Sequence, residues 1–413
     1  MRIHRLVLLT TLGVLGVFAG CECSPVAAPN GDPDVPAEGE GEGEGEGEGE
    51  GEGEGEECEY FDDYSVDRTL TAACSPYFVE VADISVTNGA TLTIEPGVEI
   101  RFATSRMLEI LDGRLVADGT DTAPILYTSL DETGAAGSWL GVNLNSGTLT
   151  GTILRHNIVR GAGQNAFGQL AAIGMDVQEP GRVTLEDVTV EHSGRAGLAL
   201  MAASPFRFAS FARLHVLDAL AGLRINAHSL GAITGPVTYQ DVDENVLVGD
   251  RVDSDSTLAY QPLPWHVVGD LEVGNDATLT IAAGSVLRFD AESWLEVGSG
   301  EEAGGLIAEG AADEPIVFES ASAAPTPGSW LGIVFRPTTL DGSLLDHCRV
   351  RHSGQDAFGV HAGVTLLDTG DDVTIANTSF ESSSGTDIYL GCGSTIGDNT
   401  ENTTPLGIAT GGC

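Results

Sequence analysis

Asp83 to Phe102 reads DISVTNGATLTIEPGVEIRF, and the chain repeats this stretch once, at Asp270 to Phe289, as DLEVGNDATLTIAAGSVLRF. The offset between the copies is 187 residues, and after a four-residue insertion it becomes 191. At the second offset GSWLG recurs at 137–141 and 328–332, and GQNAFG at 163–168 recurs as GQDAFG at 354–359. A register kept over about 85 residues indicates a duplicated structural unit.

The residues after Glu57 alternate short apolar runs with turn residues. Thr91–Ile94, Val98–Phe102, Leu108–Ile110 and Ile125–Tyr127 are typical runs, each rich in Val, Ile, Leu or Thr. Alternation with a period of two between Gly, Asn, Asp and Ser predicts strands, and no long stretch carries a helical stripe. The sequence therefore predicts an all-β body.

The phrases ATLTIEPGVEIRF, LEILDGRLVADGTDTAPILYTS and GSWLGV resemble the right-handed parallel β-helix repeats of bacterial surface proteins. The resemblance covers about 90 residues of each copy and implies a solenoid of stacked coils. It implies two duplicated halves, 58–239 and 240–413, the second continuous with the first. The repeated positions that we expect to form its scaffold are Leu92, Ile94, Trp139, His156, Leu279, Ile281, Trp330 and His347.

Composition limits the function. The chain has 413 residues, and its 18 basic residues are all Arg against 62 Asp and Glu, which gives a net charge of -44. Nucleic-acid binding is not expected, because it depends on neutralising phosphates with basic residues. The absence of Lys from the sequence removes Schiff-base chemistry, and only 6% of the residues are aromatic.

The N-terminus predicts export and a lipid anchor. Residues 1–20 combine Arg2 and Arg5 with the apolar run Leu6–Phe18, which is typical of a signal peptide and too short to span a bilayer. Phe18-Ala-Gly-Cys21 resembles the lipobox of bacterial lipoproteins, which implies lipid attachment at Cys21. The alternative is an ordinary secretory signal in which Cys21 has no role.

A low-complexity acidic segment follows the signal. Residues 21–57 begin with a Pro- and Asp-rich stretch and end in nearly pure Glu-Gly alternation from Glu38. Such a segment has no apolar surface to bury, so we expect a disordered, extended tether. The alternative, an acidic tail that binds calcium or a partner, lacks the preformed oxygen cage of calcium sites.

Seven cysteines fit an oxidising compartment. Two predicted disulfides close terminal loops of the solenoid, Cys58–Cys74 at its entry and Cys392–Cys413 at its end. Each would contribute roughly 3 kcal/mol in the chain-entropy model. Cys348 lies in a predicted strand and is expected to be a free thiol.

Catalytic signals are weak. Asp371 and Asp372 resemble the paired aspartates of β-helix polygalacturonases, but the other motifs of that family are missing from the sequence. The alternative for this pair is a solvated turn. His156 and His347, like Trp139 and Trp330, recur at one position of each copy, which favours a scaffold role over catalysis or sugar stacking.

The densest acidic cluster outside the tail comprises Glu244 and five aspartates, Asp241, Asp243, Asp250, Asp253 and Asp255. Oxygen ligands this close in sequence make it a calcium candidate, and a solvated acidic loop is the alternative. No other cofactor is expected.

Together these features predict a lipid-anchored, monomeric β-helix protein of the bacterial cell envelope, at the outer membrane or cell surface. Its predicted role is a non-catalytic binding or structural module for glycans or cell-surface partners. The alternative is a polysaccharide lyase or glycoside hydrolase that acts on one flank. A strongly acidic protein would repel an acidic polysaccharide, which favours the binding module.

Overall fold

The structure is a computed structural model that describes residues 64–411 except 132, 167, 169, 236, 370–372 and 398–400. Contacts divide the chain into two units, 1–55 and 56–413, and the described residues belong to the second. The predicted signal peptide and tether lie outside the described residues. So do Cys21, Cys58, Cys413, Asp371 and Asp372.

Short strands make up almost all of the regular structure. The first sixteen are β1 Arg68–Leu70, β2 Tyr77–Val79, β3 Ile84–Val86, β4 Thr91–Ile94, β5 Glu99–Phe102, β6 Met107–Ile110, β7 Arg114–Asp118, β8 Ile125–Ser129, β9 Gly141–Leu144, β10 Thr152–Arg160, β11 Ala171–Met175, β12 Val183–Leu200, β13 Ser210–Asn226, β14 Thr238–Gln240, β15 Asn245–Val248 and β16 Arg251–Val252. The others are β17 Ser256–Leu258, β18 Trp265–Val268, β19 Leu271–Val273, β20 Ala277–Ile281, β21 Val286–Phe289, β22 Trp294–Val297, β23 Gly304–Glu309, β24 Ile316–Ser320, β25 Gly332–Phe335, β26 Ser343–Asp346, β27 Cys348–Arg351, β28 Ala362–Leu366, β29 Val373–Ala376, β30 Ser379–Glu381, β31 Thr386–Leu390 and β32 Ile408–Thr410. Two 3-10 segments, Ala72–Cys74 and Ala227–Ala232, interrupt them, and no described helix is long and apolar enough to cross a membrane.

The strands stack in parallel, each on the equivalent strand of the next coil, so the body is a parallel β-helix with three strands per coil. Leu92 pairs with Leu115, and Leu279 pairs with Leu306, and all four are buried. Because alternate residues point inward and coils stack in register, equivalent apolar residues form ladders through one continuous core. Ile94 and Ile281 occupy such ladders, each 1% exposed.

The two copies are displaced by one face of the solenoid. β5 and β21 are equivalent strands of the repeat, yet β21 continues the ladder that carries β6, the neighbouring face. That ladder links twelve strands: β3, β6, β9, β11, β12, β13, β15, β18, β21, β24, β27 and β30. The shift occurs because the 3-10 helix Ala227–Ala232 replaces a strand after β13, and β16 and β17 then begin two new sheets.

Single left-handed residues make the sharp corners between faces. His156 has φ 50° and His347 has φ 47°, at equivalent positions of the two copies. Histidine is one of the few residue types that enter this region readily. The next residue points inward and donates to two carbonyls: Asn157 to those of Ala117 and Arg155, and Cys348 to their equivalents.

Trp139 and Trp330 lie fully buried in the core. Trp139 stacks on Phe102 with ring centroids 4.2 Å apart, and Trp330 stacks on Phe289 at 4.5 Å. Each indole Nε1 donates to a main-chain carbonyl at 2.8 Å, that of Arg160 or that of Arg351. The structure therefore places these repeated tryptophans inside the solenoid, away from solvent.

The cysteines differ in state. Cys74 and Cys392 are both disulfide-bonded, and the partners predicted for them, Cys58 and Cys413, lie outside the described residues. Both pairings stay predictions. Cys348 is a free thiol, as expected, and its burial raises the pKa of the thiol.

His266 bridges coils where the copies join. Its Nδ1 lies 3.3 Å from Glu244 Oε1, and its Nε2 lies 2.8 Å from Asp290 Oδ1. Burial alone would lower the pKa of His266, but the hydrogen bonds to Asp290 and Glu244 and their charges outweigh it, so the pKa is raised.

Near the C-terminal end of the solenoid, the fully buried Asp387 accepts hydrogen bonds from the backbone N–H groups of Leu406 (2.6 Å) and Gly407 (3.2 Å).

Candidate functional site

The outer surface of the second copy differs from that of the first on the sheet of β19, β22, β25 and β28. Trp294 on β22 stands where the first copy has Met107, and Arg336, directly after β25, stands where it has Asn145. Residues that are equivalent by repeat but different in type cannot be required by the scaffold alone. This face is therefore the place to look for a function that the repeat does not explain.

Trp294, Phe358 and Arg336 meet on this face, and we call the three side chains the aromatic platform. The rings of Trp294 and Phe358 stack with centroids 5.1 Å apart and planes 16° apart. The Arg336 guanidinium carbon lies 4.5 Å from the centre of the Phe358 ring. Phe358 is 50% exposed, so a large apolar ring is presented to solvent with a cation beside it.

A tight turn presents Phe358. Ala357 and Val360 exchange both backbone hydrogen bonds at 2.9 Å, and the two residues between them have positive φ, 54° at Phe358 and 78° at Gly359. This is the pattern of a type I′ turn, whose positive φ angles Gly adopts without steric cost and bulky residues adopt rarely. The fold thus holds an aromatic residue in a costly conformation at an exposed position.

The loop that carries this turn is anchored at its base. The Gln355 N–H donates to the Trp330 carbonyl at 3.0 Å, and the Gln355 side-chain oxygen accepts from the Glu292 N–H at 3.1 Å. One anchor belongs to the buried core and the other to the turn that precedes β22. The loop is therefore tied to the segments that precede β22, which supplies Trp294, and its paired strand β25.

A buried carboxylate lies under the platform. Glu296 on β22 is 4% exposed and pairs with Arg336, Nε to Oε1 3.0 Å. Burial is the main reason why the pKa of Glu296 is raised; Arg336 opposes the rise, and the charges of Glu272 and Asp270 add to it. The ion pair fixes the guanidinium beside Phe358, so the cation is positioned rather than free to swing.

The Trp294 indole supplies a further polar group. Its Nε1 is buried, and among the described residues it has no hydrogen-bond partner. An unpaired buried donor costs free energy, which a ligand acceptor or a water would recover. Aromatic faces beside a fixed guanidinium suit a ligand with both apolar and hydroxylated surfaces.

Three of the five aspartates considered as calcium ligands each contact a different partner. Asp250 Oδ1 accepts from the Arg251 N–H at 2.8 Å, Asp253 lies 3.3 Å from His228, and Asp255 Oδ1 accepts from the Thr278 N–H at 2.9 Å. Asp241 is a left-handed corner residue and Asp243 is exposed. In the described parts of the chain no group of three or more His, Cys, Asp or Glu is arranged to hold a metal ion. Calcium binding here stays a prediction.

Carboxylates meet Arg and His at the corner that contains His156. Its Nδ1 lies 3.1 Å from Asp121 and its Nε2 lies 3.8 Å from Asp187, which also pairs with Arg213. The hydrogen bond from Arg213 is the main reason why the pKa of Asp187 is lowered. Carboxylates held in ion pairs along successive coils fit a structural ladder, and the lowered pKa of Asp187 is the opposite of what a general acid needs.

Sequence reasoning missed Trp294, Arg336 and Phe358 as a group. It examined the residues that recur, whereas Trp294 and Arg336 do not recur, and Phe358 recurs as Phe167 without either of them at the equivalent positions. The replacement of Met107 by Trp294 at one repeat position was the available signal. The paired candidates Asp371 and Asp372 lie outside the described residues, so their surroundings stay open.

Comparison with known proteins agrees with the architecture. The family model described as a pectate-lyase-like beta helix domain matches residues 65–195 and 251–339, more than half of the chain. A 67-residue segment is 48% identical to Protein bark beetle of Drosophila melanogaster, and it represents 16% of this chain and 2% of that protein. The chain thus spans a very small part of that relative, and no solved structure matches it significantly. By the extent of the family match, the chain belongs to the pectate-lyase-like β-helix domain family.

Proposed function

We propose that the protein is a non-catalytic binding module that holds a glycan on the aromatic platform. The observation that carries this proposal is the stack of Trp294 on a half-exposed Phe358 beside the fixed Arg336. Sugar rings have apolar C–H faces that pack on aromatic rings, and hydroxyl groups that accept hydrogen bonds from a guanidinium. A neutral glycan suits the site best, because the charge of Arg336 is already balanced by its ion pair with Glu296.

A surface protein fits the same site less well. Protein partners bury large complementary areas, and their anchors are often Trp and Arg. The platform offers three side chains on a regular sheet whose other residues near it include the carboxylates Glu272 and Glu296. A small hydroxylated ligand needs no further surface, so it is the class that we propose.

The binding test uses a glycan array and then calorimetry with the strongest neutral oligosaccharide. Phe358→Ala is expected to weaken binding about tenfold, which corresponds to roughly 1.4 kcal/mol. Phe78→Ala is the matched control, because Phe78 is 44% exposed and lies 5.8 Å from the Arg101 guanidinium in the first copy. Equal binding by both variants and the unmodified chain would remove the platform from the proposal.

We further propose that the module is displayed on a bacterial envelope through lipid on Cys21, with residues 21–57 as its spacer. Support comes from the apolar run before Cys21 and from the Glu-Gly composition of the spacer. In a bacterial host fed an alkyne-labelled fatty acid, the full chain should incorporate label and Cys21→Ser should not. Cys23→Ser is the matched control and should keep the label; labelling of Cys21→Ser would refute the anchor.

A polysaccharide lyase or hydrolase has less support. The described carboxylates at the His156 corner are held in ion pairs, and a lowered pKa at Asp187 is unsuited to acid catalysis at neutral pH. Screening the purified chain against polysaccharides for new reducing ends or unsaturated products tests this alternative. Turnover that survives Phe358→Ala would place an active site elsewhere on the solenoid.

A further inference from the structure

A recess lies at the junction of the first and second copies, apart from the aromatic platform, and we call it the seam cleft. It has a volume of about 610 Å³, large enough for a monosaccharide-sized molecule. Its walls combine one cation, hydroxyl groups and two aliphatic side chains; the principal residues are Arg207, Ile233, Asp255, Thr257, Thr280 and Ile307.

The cleft is a product of the one-face shift between the copies. The sheet that contains β14 ends there, the sheet of β17, β20 and β23 begins, and no backbone pairing between described residues joins β14 to β17. The 3-10 helix Ala227–Ala232 packs against β16 and β17 in place of a strand. Neither copy alone contains this recess, because each supplies only one side of it.

The floor of the cleft is a short ladder of outward side chains. Thr257 pairs with Thr280, and Thr280 pairs with Ile307, on three successive coils. Coils stack about 4.8 Å apart, so the two hydroxyls can each contact a different hydroxyl group of one sugar ring. Hydroxyls that both donate and accept suit a neutral hydroxylated ligand.

Arg207 is the one cation among the residues that line the cleft. Its Nη1 donates to the Phe206 carbonyl at 2.8 Å, and no ion pair to a carboxylate is formed by it among the described residues. Many other described arginines pair with Asp or Glu, Arg155, Arg160, Arg288 and Arg351 among them, whereas Arg114 and Arg195 bond to Thr150 and Asn165 instead. A guanidinium left with open N–H groups beside a cavity is suited to an oxoanion.

The backbone makes room for that guanidinium at Gly231. A Cβ at this position would lie 2.2 Å from the central carbon and from Nη2 of Arg207. Any side chain at Gly231 would therefore displace the head group, although the flexible stem of Arg207 would let the fold survive. Asp255 lines the same cleft, but its Oδ1 is already bonded to the Thr278 N–H at 2.9 Å.

We propose that the seam cleft binds a sugar-sized molecule that carries one oxoanion, with Arg207 holding the oxoanion and Thr257 and Thr280 holding hydroxyl groups. The site is separate from the aromatic platform and goes beyond the function proposed above. A carboxylate and a phosphate share the required chemistry, and the test distinguishes them.

The test is calorimetry on the purified chain with glucose 6-phosphate, glucuronate, glucose and inorganic phosphate as four separate probes. Saturable binding of at least one of the first two is expected, with at least tenfold weaker binding of glucose and of inorganic phosphate. Comparison of the first two identifies the preferred oxoanion. Equal affinity for glucose would overturn recognition of the charge, and equal affinity for inorganic phosphate would overturn recognition of the sugar body.

Variants locate the binding. Arg207→Gln and Gly231→Ala should each weaken the preferred probe at least tenfold, with far-UV circular dichroism unchanged. Arg349→Gln, which removes an exposed arginine from β27, and Phe358→Ala should leave it unchanged. Undiminished binding by both Arg207→Gln and Gly231→Ala would overturn the proposal, as would no saturable binding of either anionic sugar by the unmodified chain. Loss of binding in Phe358→Ala would instead assign it to the platform.

Discussion

Replacing Trp330 with Phe tests whether the buried tryptophans stabilise the coils through their indole N–H as well as their ring. Phe keeps the stack on Phe289 but removes the donor that lies 2.8 Å from the Arg351 carbonyl. A buried acceptor left without its partner costs about 1–3 kcal/mol. The lost ring carbons add about 0.8 kcal/mol each. With two ring carbons lost, the expected loss of stability is about 2.5–4.5 kcal/mol.

Trp139→Phe is the internal control, because Trp139 has the same stack and the same bond to a carbonyl in the first copy. Urea unfolding should give similar losses for the two variants. A solenoid opens coil by coil, so hydrogen exchange adds a local measure. The amides of Gln164 and Gln355 bond to the Trp139 and Trp330 carbonyls, and each should exchange faster only in the variant of its own copy.

Two results would refute this reasoning. A loss of no more than about 1.6 kcal/mol in both variants, which the two lost ring carbons explain alone, would mean that the indole hydrogen bonds contribute nothing beyond ring packing. Equal acceleration of exchange at both glutamines in either variant would mean that the copies unfold as one unit, contrary to a solenoid in which each coil contacts only its neighbours.

Three further predictions follow from single sites. Because the pKa of His266 is raised in the folded chain, His266 stabilises the fold below its unfolded pKa near 6.5, and this stabilisation is lost as pH rises through the folded pKa. His266→Gln should therefore lower the free energy of unfolding by on the order of 1 kcal/mol in acid and by very little in alkali, measured by urea titration at several pH values. The same loss at every pH would contradict this. Cys348→Asn introduces the residue that the first copy has at the equivalent position, Asn157, and should keep the melting temperature within a few degrees. Cys348→Ala removes the side-chain hydrogen-bond donor and should lower the melting temperature more. The reverse order would refute the equivalence of Cys348 and Asn157. Asp387→Ala should lower stability by about 2–4 kcal/mol and speed proteolysis of the last coil, since the backbone N–H groups of Leu406 and Gly407 lose their side-chain acceptor; an unchanged cleavage rate would refute this role.

The sequence carried much information about local structure because strand patterning is local. A period of two marks which residues of Thr91–Ile94 point inward, and burial of Leu92 and Ile94 agrees with it. The repeat then extends each assignment to the other copy without further evidence. The corner histidines recur for an equally local reason, since the left-handed backbone of the corner tolerates few residue types.

The sequence by itself determined the strands, the inward residues and the duplicated β-helix, because these depend on short-range alternation and on coils stacking in register. Only the tertiary structure decided how the copies are joined and which side chains meet. A 3-10 helix in place of one strand turns the second copy by one face, and this turn opens the seam cleft beside Arg207. Trp294, Arg336 and Phe358 come from separate coils, and their contact depends on stacking between coils, which no local pattern encodes.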